Sequence, residues 1–211
     1  MLLPKHSYHF TYCGQNEVIM KNVLILGASG GLAKYVIDEL QKQDDIHLTL
    51  FLRNKNRLNN KLGQNCEIIE GDVLDSVKLT DAMADKDIVY VNLAGDLWAM
   101  AEKIEKAMIE TGVKRLIAIS SIGIYDTPLK SVLIPYRKLA DVFENSSLDY
   151  TILRPAWFTS IDEVDFEITH KGEPERGSVI SMKSLATFIA SIINSPQNFI
   201  RENLGINKPN S

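Results

Sequence analysis

Sulfur and imidazole are scarce in this chain. It has two cysteines, Cys13 and Cys66, and four histidines. The cysteines stand far apart, with no C-x-x-C and no mixed Cys/His spacing, which excludes a zinc ribbon or a disulfide scaffold. Free thiols in a reducing cytoplasm are expected, and the localisation is read as cytoplasmic. His6 and His9 sit at irregular spacing and His170 stands alone. Glu163, Asp165, Glu167, Glu173 and Glu175 show no recurring ligand interval, so these acids read as solvated faces and no metal site is expected. Positive charge is also short: 23 Lys and Arg against 27 Asp and Glu leave a net charge of −4. That excludes a broad electrostatic footprint for nucleic acid or an anionic membrane. No apolar run approaches the roughly 20 residues needed to span a bilayer. Internal repeats, low-complexity tracts and linkers are missing too. The first 19 residues, MLLPKHSYHFTYCGQNEVI, lack the basic start, apolar core and small-residue cleavage site of a signal peptide. They read as a disordered leader outside the fold: an upstream translation start, a cloning remnant or a true extension. Met20 then opens a single domain running to residue 211.

What is present is the composition of an ordinary globular protein, 45% hydrophobic and 24% charged. The 211 residues suit one continuous α/β core. The organising stretch is KNVLILGASGGLA, Lys21 to Ala33. A short apolar run bounded by glycine is what a parallel strand covered on both faces looks like. Gly27 lets the chain reverse at the strand end. Gly30 lacks a Cβ, so a ligand can approach the backbone, and Ala33 allows the following helix to pack closely on the sheet. That helix aims unpaired N–H groups and the positive end of its dipole at the space above the turn, an arrangement suited to a pyrophosphate.

Strand and helix patterns then alternate through the first 155 residues, which predicts right-handed crossovers and a parallel sheet. HLTLFL, His47 to Leu52, is a strand whose end carries Arg53. At that position an acid would accept from a ribose 2′-hydroxyl, whereas a guanidinium favours the 2′-phosphate of NADP; the alternative is a solvated surface arginine. Asp72 follows the strand Glu67 to Glu70 and either accepts from the adenine amino group or caps the next helix. Asp87 to Leu93 leads into small residues, Ala94 and Gly95, where a nucleotide would lie against the backbone. Arg115 to Ile119 ends in Ser120 and Ser121, whose hydroxyls would face the nicotinamide. Tyr136 to Asn145 is a helix, and Tyr150 to Leu153 a strand ending in Arg154-Pro155-Ala156-Trp157-Phe158. Val164 to Ile168 and Ser178 to Ile180 flank the charged turn KGEPERG and read as a small hairpin over the pocket. Ser184 to Asn194 is an amphipathic helix, and Leu204 to Ile206 a last edge strand.

GASGGLA, LRN, EGDV, ISSIGIY and LDYTILRP, in that order, resemble the atypical short-chain dehydrogenase/reductase superfamily, and within it the NmrA-like NAD(P)-binding proteins. The resemblance covers about residues 20 to 206. It implies a doubly wound Rossmann fold with a small C-terminal substrate cap, binding NADP(H) by preference and NAD(H) as a possibility. Gly27, Ser29, Gly30, Gly31 and Leu32 would hold the phosphates, with Arg53 at the adenosine end. Asp72 and Val73 would lie at adenine, Leu93 and Ala94 at its ribose. Ser120, Pro155, Ala156 and Trp157 would border the nicotinamide.

The catalytic pattern departs from that superfamily, whose active reductases use Ser with Tyr-x-x-x-Lys. Ser121 matches the Ser, either orienting the substrate or capping its own turn. Tyr125 and Tyr136 are followed four residues later by Leu129 and Ala140. A short gap would bring Lys138 to the ribose role, and Tyr125 is either a proton donor or a wall residue. Two functions stay open. One is an NADPH-dependent reductase of a small conjugated or carbonyl acceptor such as a quinone or flavin. The other is a non-catalytic NADP(H) sensor acting through a protein partner. A small-molecule substrate and a monomer or homodimer are expected, with no nucleic-acid or membrane partner.

Overall fold

The computed structural model describes residues 20–58 and 62–211; the leader, with Cys13, His6 and His9, lies outside the described residues. Five α-helices and ten strands follow one another in the order β1 (Lys21–Leu26), α1 (Gly31–Leu40), β2 (Ile46–Leu52), β3 (Glu67–Glu70), α2 (Ser76–Met83), β4 (Ile88–Val91), α3 (Leu97–Thr111), β5 (Arg115–Ile119), α4 (Ile134–Asn145), β6 (Asp149–Pro155), β7 (Trp157–Thr159), β8 (Glu167–Thr169), β9 (Val179–Ser181), α5 (Met182–Asn194) and β10 (Glu202–Asn207).

The main sheet has eight strands in the order β3-β2-β1-β4-β5-β6-β10-β8, parallel except for β8 against β10. This is the doubly wound Rossmann order. The chain reaches β3 at one edge, then crosses back to place β4 on the other side of β1, and the sequence order reverses there. The central strands carry apolar residues on both faces. Val23 and Ile25 of β1 pack in the layer with α1 and α5, while Leu24 and Leu26 face the layer with α2, α3 and α4. Period-2 alternation thus feeds two cores from one strand.

The helices begin where the local chemistry permits. Asp96 caps α3 by accepting the Ala99 N–H, and Gly112 ends it in the left-handed region at φ +78°. Ser181 caps α5 through the Ser184 N–H at 3.0 Å. Helix α4 starts at Ile134, earlier than the expected Tyr136, because Pro135 in its first turn has no N–H to leave unpaired. None of the helices described is long and apolar enough to cross a membrane.

Two expectations for the C-terminal region are corrected. The segments flanking KGEPERG do not form a hairpin. Glu167–Thr169 pairs antiparallel with β10, whereas Val179–Ser181 pairs parallel with Trp157–Thr159 in a separate two-stranded sheet. Nor is Leu204–Ile206 an edge. It lies within β10, between β6 and β8. Both differences come from long-range pairing, which short apolar runs do not encode.

Candidate functional site

The carboxyl ends of β1, β2, β3 and β4 open onto one cleft of about 390 Å³. Its base is the turn between β1 and α1. Gly27 adopts φ +84°, and a Cβ there would fall 2.1 Å from the Asn92 carbonyl oxygen. Glycine is required on both counts. The Gly30 N–H donates to the Gly27 carbonyl at 3.0 Å, tightening the turn. Gly30 is also the N-cap of α1 and supplies no side-chain cap, so the first N–H groups of α1 keep their hydrogen-bonding capacity for a ligand. A Cβ on Gly30 would lie 2.5 Å from the Asn92 amide nitrogen, which closes the space from the β4 side.

The cleft is lined by Gly27, Ser29, Gly30, Gly31 and Leu32 from the turn, and by Phe51, Leu52, Arg53, Asn54 and Arg57 from the end of β2 and beyond. Gly71, Asp72 and Val73 follow β3, and Asn92, Leu93 and Ala94 follow β4. Met100 of α3, Phe158 of β7 and Met182 of α5 complete the wall. Asp72 accepts the Leu74 N–H through Oδ1 at 2.9 Å, a local turn bond that leaves its second oxygen available. Several lining residues escaped the sequence reading. Arg57 is one; its signal was the four-residue interval from Arg53. Asn92 and Met182 carried no usable local signal, because β4 and α5 meet the turn only in the folded chain.

The other expected residues lie outside this lining. Ser120 is buried, and its hydroxyl donates to the Tyr136 carbonyl at 3.1 Å. Ser121 is half-buried beside it and donates to the Ile122 carbonyl. Pro155 accepts the Ile122 N–H, and Ala156 donates to the Ile206 carbonyl. Trp157 is 76% exposed, since β7 belongs to the two-stranded sheet beyond the core.

Two placements bear on the catalytic expectation. Lys138 lies 5.0 Å from the Trp98 ring centroid in a shallow depression between α3 and α4, outside the lining of the dinucleotide cleft. Leu139, Ala140 and Phe143 form the buried face of α4, and that phase turns Lys138 outward. Tyr125 is committed to a polar cluster: its hydroxyl donates to Glu144 at 2.9 Å and accepts from the Asn203 amide at 2.8 Å. Arg137, Arg154 and Lys171 stand 4.8, 5.2 and 5.0 Å from its ring centroid. Burial first, then the hydrogen bond to Glu144 and its charge, push the phenol far above its ordinary range. A phenol so held favours its protonated form, the state that suits a wall residue better than a proton donor.

Residues 27–196 match the family described as NAD(P)H-binding. The chain is 46% identical to a Rossmann-fold NAD(P)-binding family protein from Shigella flexneri, with a TM-score of 0.85 over 91% of this chain and 95% of that one. It is 25% identical to a short-chain dehydrogenase/reductase from Veillonella parvula in complex with NADP, with a TM-score of 0.83 over 90% of this chain and 95% of that one. An anaerobilin reductase from Escherichia coli O157:H7 shares the fold at 18% identity, with a TM-score of 0.75 over 90% of this chain and 98% of that one. No curated protein matches the chain.

Proposed function

The chain belongs to the NAD(P)H-binding family of Rossmann-fold proteins, and we propose that within it this protein is an NADPH-dependent reductase of a small conjugated acceptor, a quinone or flavin by chemical type. The observation that carries the cofactor choice is the charge at the end of β2. Arg53 and Arg57 both line the cleft there, and among the described residues the one carboxylate lining it, Asp72, is at the end of β3. Two guanidinium groups favour a 2′-phosphate over a bare 2′-hydroxyl through charge-assisted hydrogen bonds. The glycine turn fits the pyrophosphate, because Gly30 leaves the first N–H groups of α1 without a side-chain cap and lines the cleft with bare backbone.

The acceptor class follows from the state of the expected proton donors: the Tyr125 hydroxyl is bonded to Glu144 and Asn203, and Lys138 lies against Trp98 between α3 and α4. NADPH, when bound, supplies a hydride to the acceptor. This chain's part is then to hold the two planar groups together, with Phe158 and Met182 as apolar walls and Ser121 orienting the acceptor from the end of β5. The single proton that completes the reduction comes from water, which suffices for a quinone or flavin because hydride transfer leaves a stabilised anion. The same state of the expected proton donors supports a second reading, a non-catalytic NADP(H) sensor with a protein partner.

Titration of tryptophan emission with NADPH and with NADH, followed by a panel of quinones, flavins and aldehydes, separates these readings. Tighter binding of NADPH with loss of reduced-nicotinamide absorbance on one acceptor is the expected result. Tight binding without turnover on any acceptor would favour the sensor.

A further inference from the structure

Beyond the dinucleotide cleft, the most heavily built polar arrangement joins the loop after β5 to the loop between β8 and β9. At its centre is Arg154 of β6, a cation only 1% exposed. Its Nε donates to Glu175 Oε1 at 2.6 Å, and its Nη1 donates to the carbonyl and side-chain oxygens of Asn203 at 2.7 and 2.6 Å. The other oxygen of Glu175 accepts the Gly123 N–H at 2.7 Å. Glu175 therefore bridges the end of β6 and the loop that carries Ser121, although it comes from the KGEPERG turn some 50 residues further along. The turn is anchored a second time where Lys171 donates to Glu144 at 2.8 Å, the same carboxylate oxygen that receives the Tyr125 hydroxyl.

We infer that Glu175 is a positioning residue for the acceptor, holding the residue 121–125 loop in place through the Gly123 N–H. This rests on the reductase reading, because it concerns where the acceptor meets the nicotinamide. Both groups facing the carboxylate are N–H donors, so only a side chain with two acceptor oxygens satisfies them together. Gly123 sits at φ +81°, two residues from Ser121, and its conformation is otherwise set by the Ile122 N–H to Pro155 carbonyl bond and the Asp126 N–H to its own carbonyl. Releasing the Gly123 N–H frees the peptide between Ile122 and Gly123, and with it the Ile122 carbonyl that accepts the Ser121 hydroxyl and sets its direction. Desolvation strengthens the clamp on its inner side: the Arg154 side chain is 1% exposed and that of Glu175 is 19% exposed. The dinucleotide cleft shares none of these contacts.

Glu175→Gln tests this. It keeps the volume but turns an amide donor toward one of two donors. The expected result is a fall of about tenfold or more in acceptor kcat/KM, with the NADPH dissociation constant changed by less than about twofold. Amide hydrogen exchange should quicken in residues 121–126 and stay unchanged in 27–33. Glu175→Asp, which keeps both oxygens, should recover part of the loss, and it serves as the test variant if the Gln form does not fold. Unchanged exchange at 121–126 in the folded variant would overturn the inference. So would parallel loss of NADPH binding and acceptor turnover, since that marks general destabilisation. If the wild-type protein binds NADPH and reduces no acceptor, the reductase reading fails by itself, and the exchange experiment alone decides whether Glu175 holds the loop.

Discussion

The two ends of the site are built by opposite means. The dinucleotide half, residues 27–32 with the ends of β2, β3 and β4, presents backbone and glycine with few side-chain hydrogen bonds of its own. The half proposed to meet the acceptor, at the ends of β5 and β6, is full of side-chain bonds among Tyr125, Glu144, Arg154, Lys171, Glu175 and Asn203. A pyrophosphate is the same in every dinucleotide and is well served by N–H groups and a helix dipole. An acceptor must be met by a particular shape, and a shape made from loops needs internal ties to hold it.

The largest effect that would sharpen the contrast is expected at Arg154. Replacing it with Met removes a buried cation and strands the Glu175 carboxylate. Stability to urea should fall by about 3–5 kcal/mol, while the folded fraction still binds NADPH. A loss below about 1 kcal/mol would show that the acceptor half does not depend on this pair. Gly30→Val attacks the opposite half. Its Cβ would begin 2.5 Å from the Asn92 amide, so Asn92 or the turn itself must shift at the wall of the cleft. NADPH affinity should drop by about a hundredfold or more, or about 2.7 kcal/mol, with a smaller change in melting temperature. Unchanged titration would remove the phosphates from this turn.

A more moderate shift is expected from Arg53→Asp. Losing a charge-assisted contact to the 2′-phosphate and gaining an acceptor for a 2′-hydroxyl should move the NADPH/NADH preference by roughly tenfold or more toward NADH. Arg57 should retain part of the NADPH binding. An unaltered ratio would mean that Arg53 does not read the phosphate. The smallest effect concerns pH. Burial raises the Glu144 carboxyl, but hydrogen bonds from Lys171, Asn203 and Tyr125, with the Lys171 charge, more than offset this and hold it below its ordinary 4.5. A carboxyl depressed in the folded state contributes stability that is complete above the ordinary value and disappears as pH falls through the folded one. Stability measured downward from pH 5 should therefore decline less steeply in Glu144→Gln than in the wild type. Identical slopes would show that Glu144 is not part of the acid-sensitive tie.

The placements of individual residues show which signals were local. Gly27, Gly30 and Arg53 were legible because a strand end, a turn and a helix start lie within a few residues, and the turn geometry that demands glycine follows from them directly. The outward direction of Lys138 was also implicit, since Leu139 and Phe143 at i and i+4 define the inner face of α4. The role of Tyr125 was not legible. Its hydroxyl partners lie 19 and 78 residues away, and no spacing in the sequence announces them. The strand segments after Trp157 failed similarly: three-residue runs state that they are extended but not what they pair with.

By itself the sequence determined the alternation of buried strands and amphipathic helices, the glycine turn that opens α1, and the cationic end of β2. Those features arise from periodicity and backbone sterics over a few residues. Only the tertiary structure decided that β10 lies inside the sheet, that Tyr125 is fastened to Glu144, and that Glu175 grips Gly123 and Arg154. Such pairings depend on which distant groups share a low-dielectric interior, where an unpartnered charge or N–H is costly enough to select one arrangement.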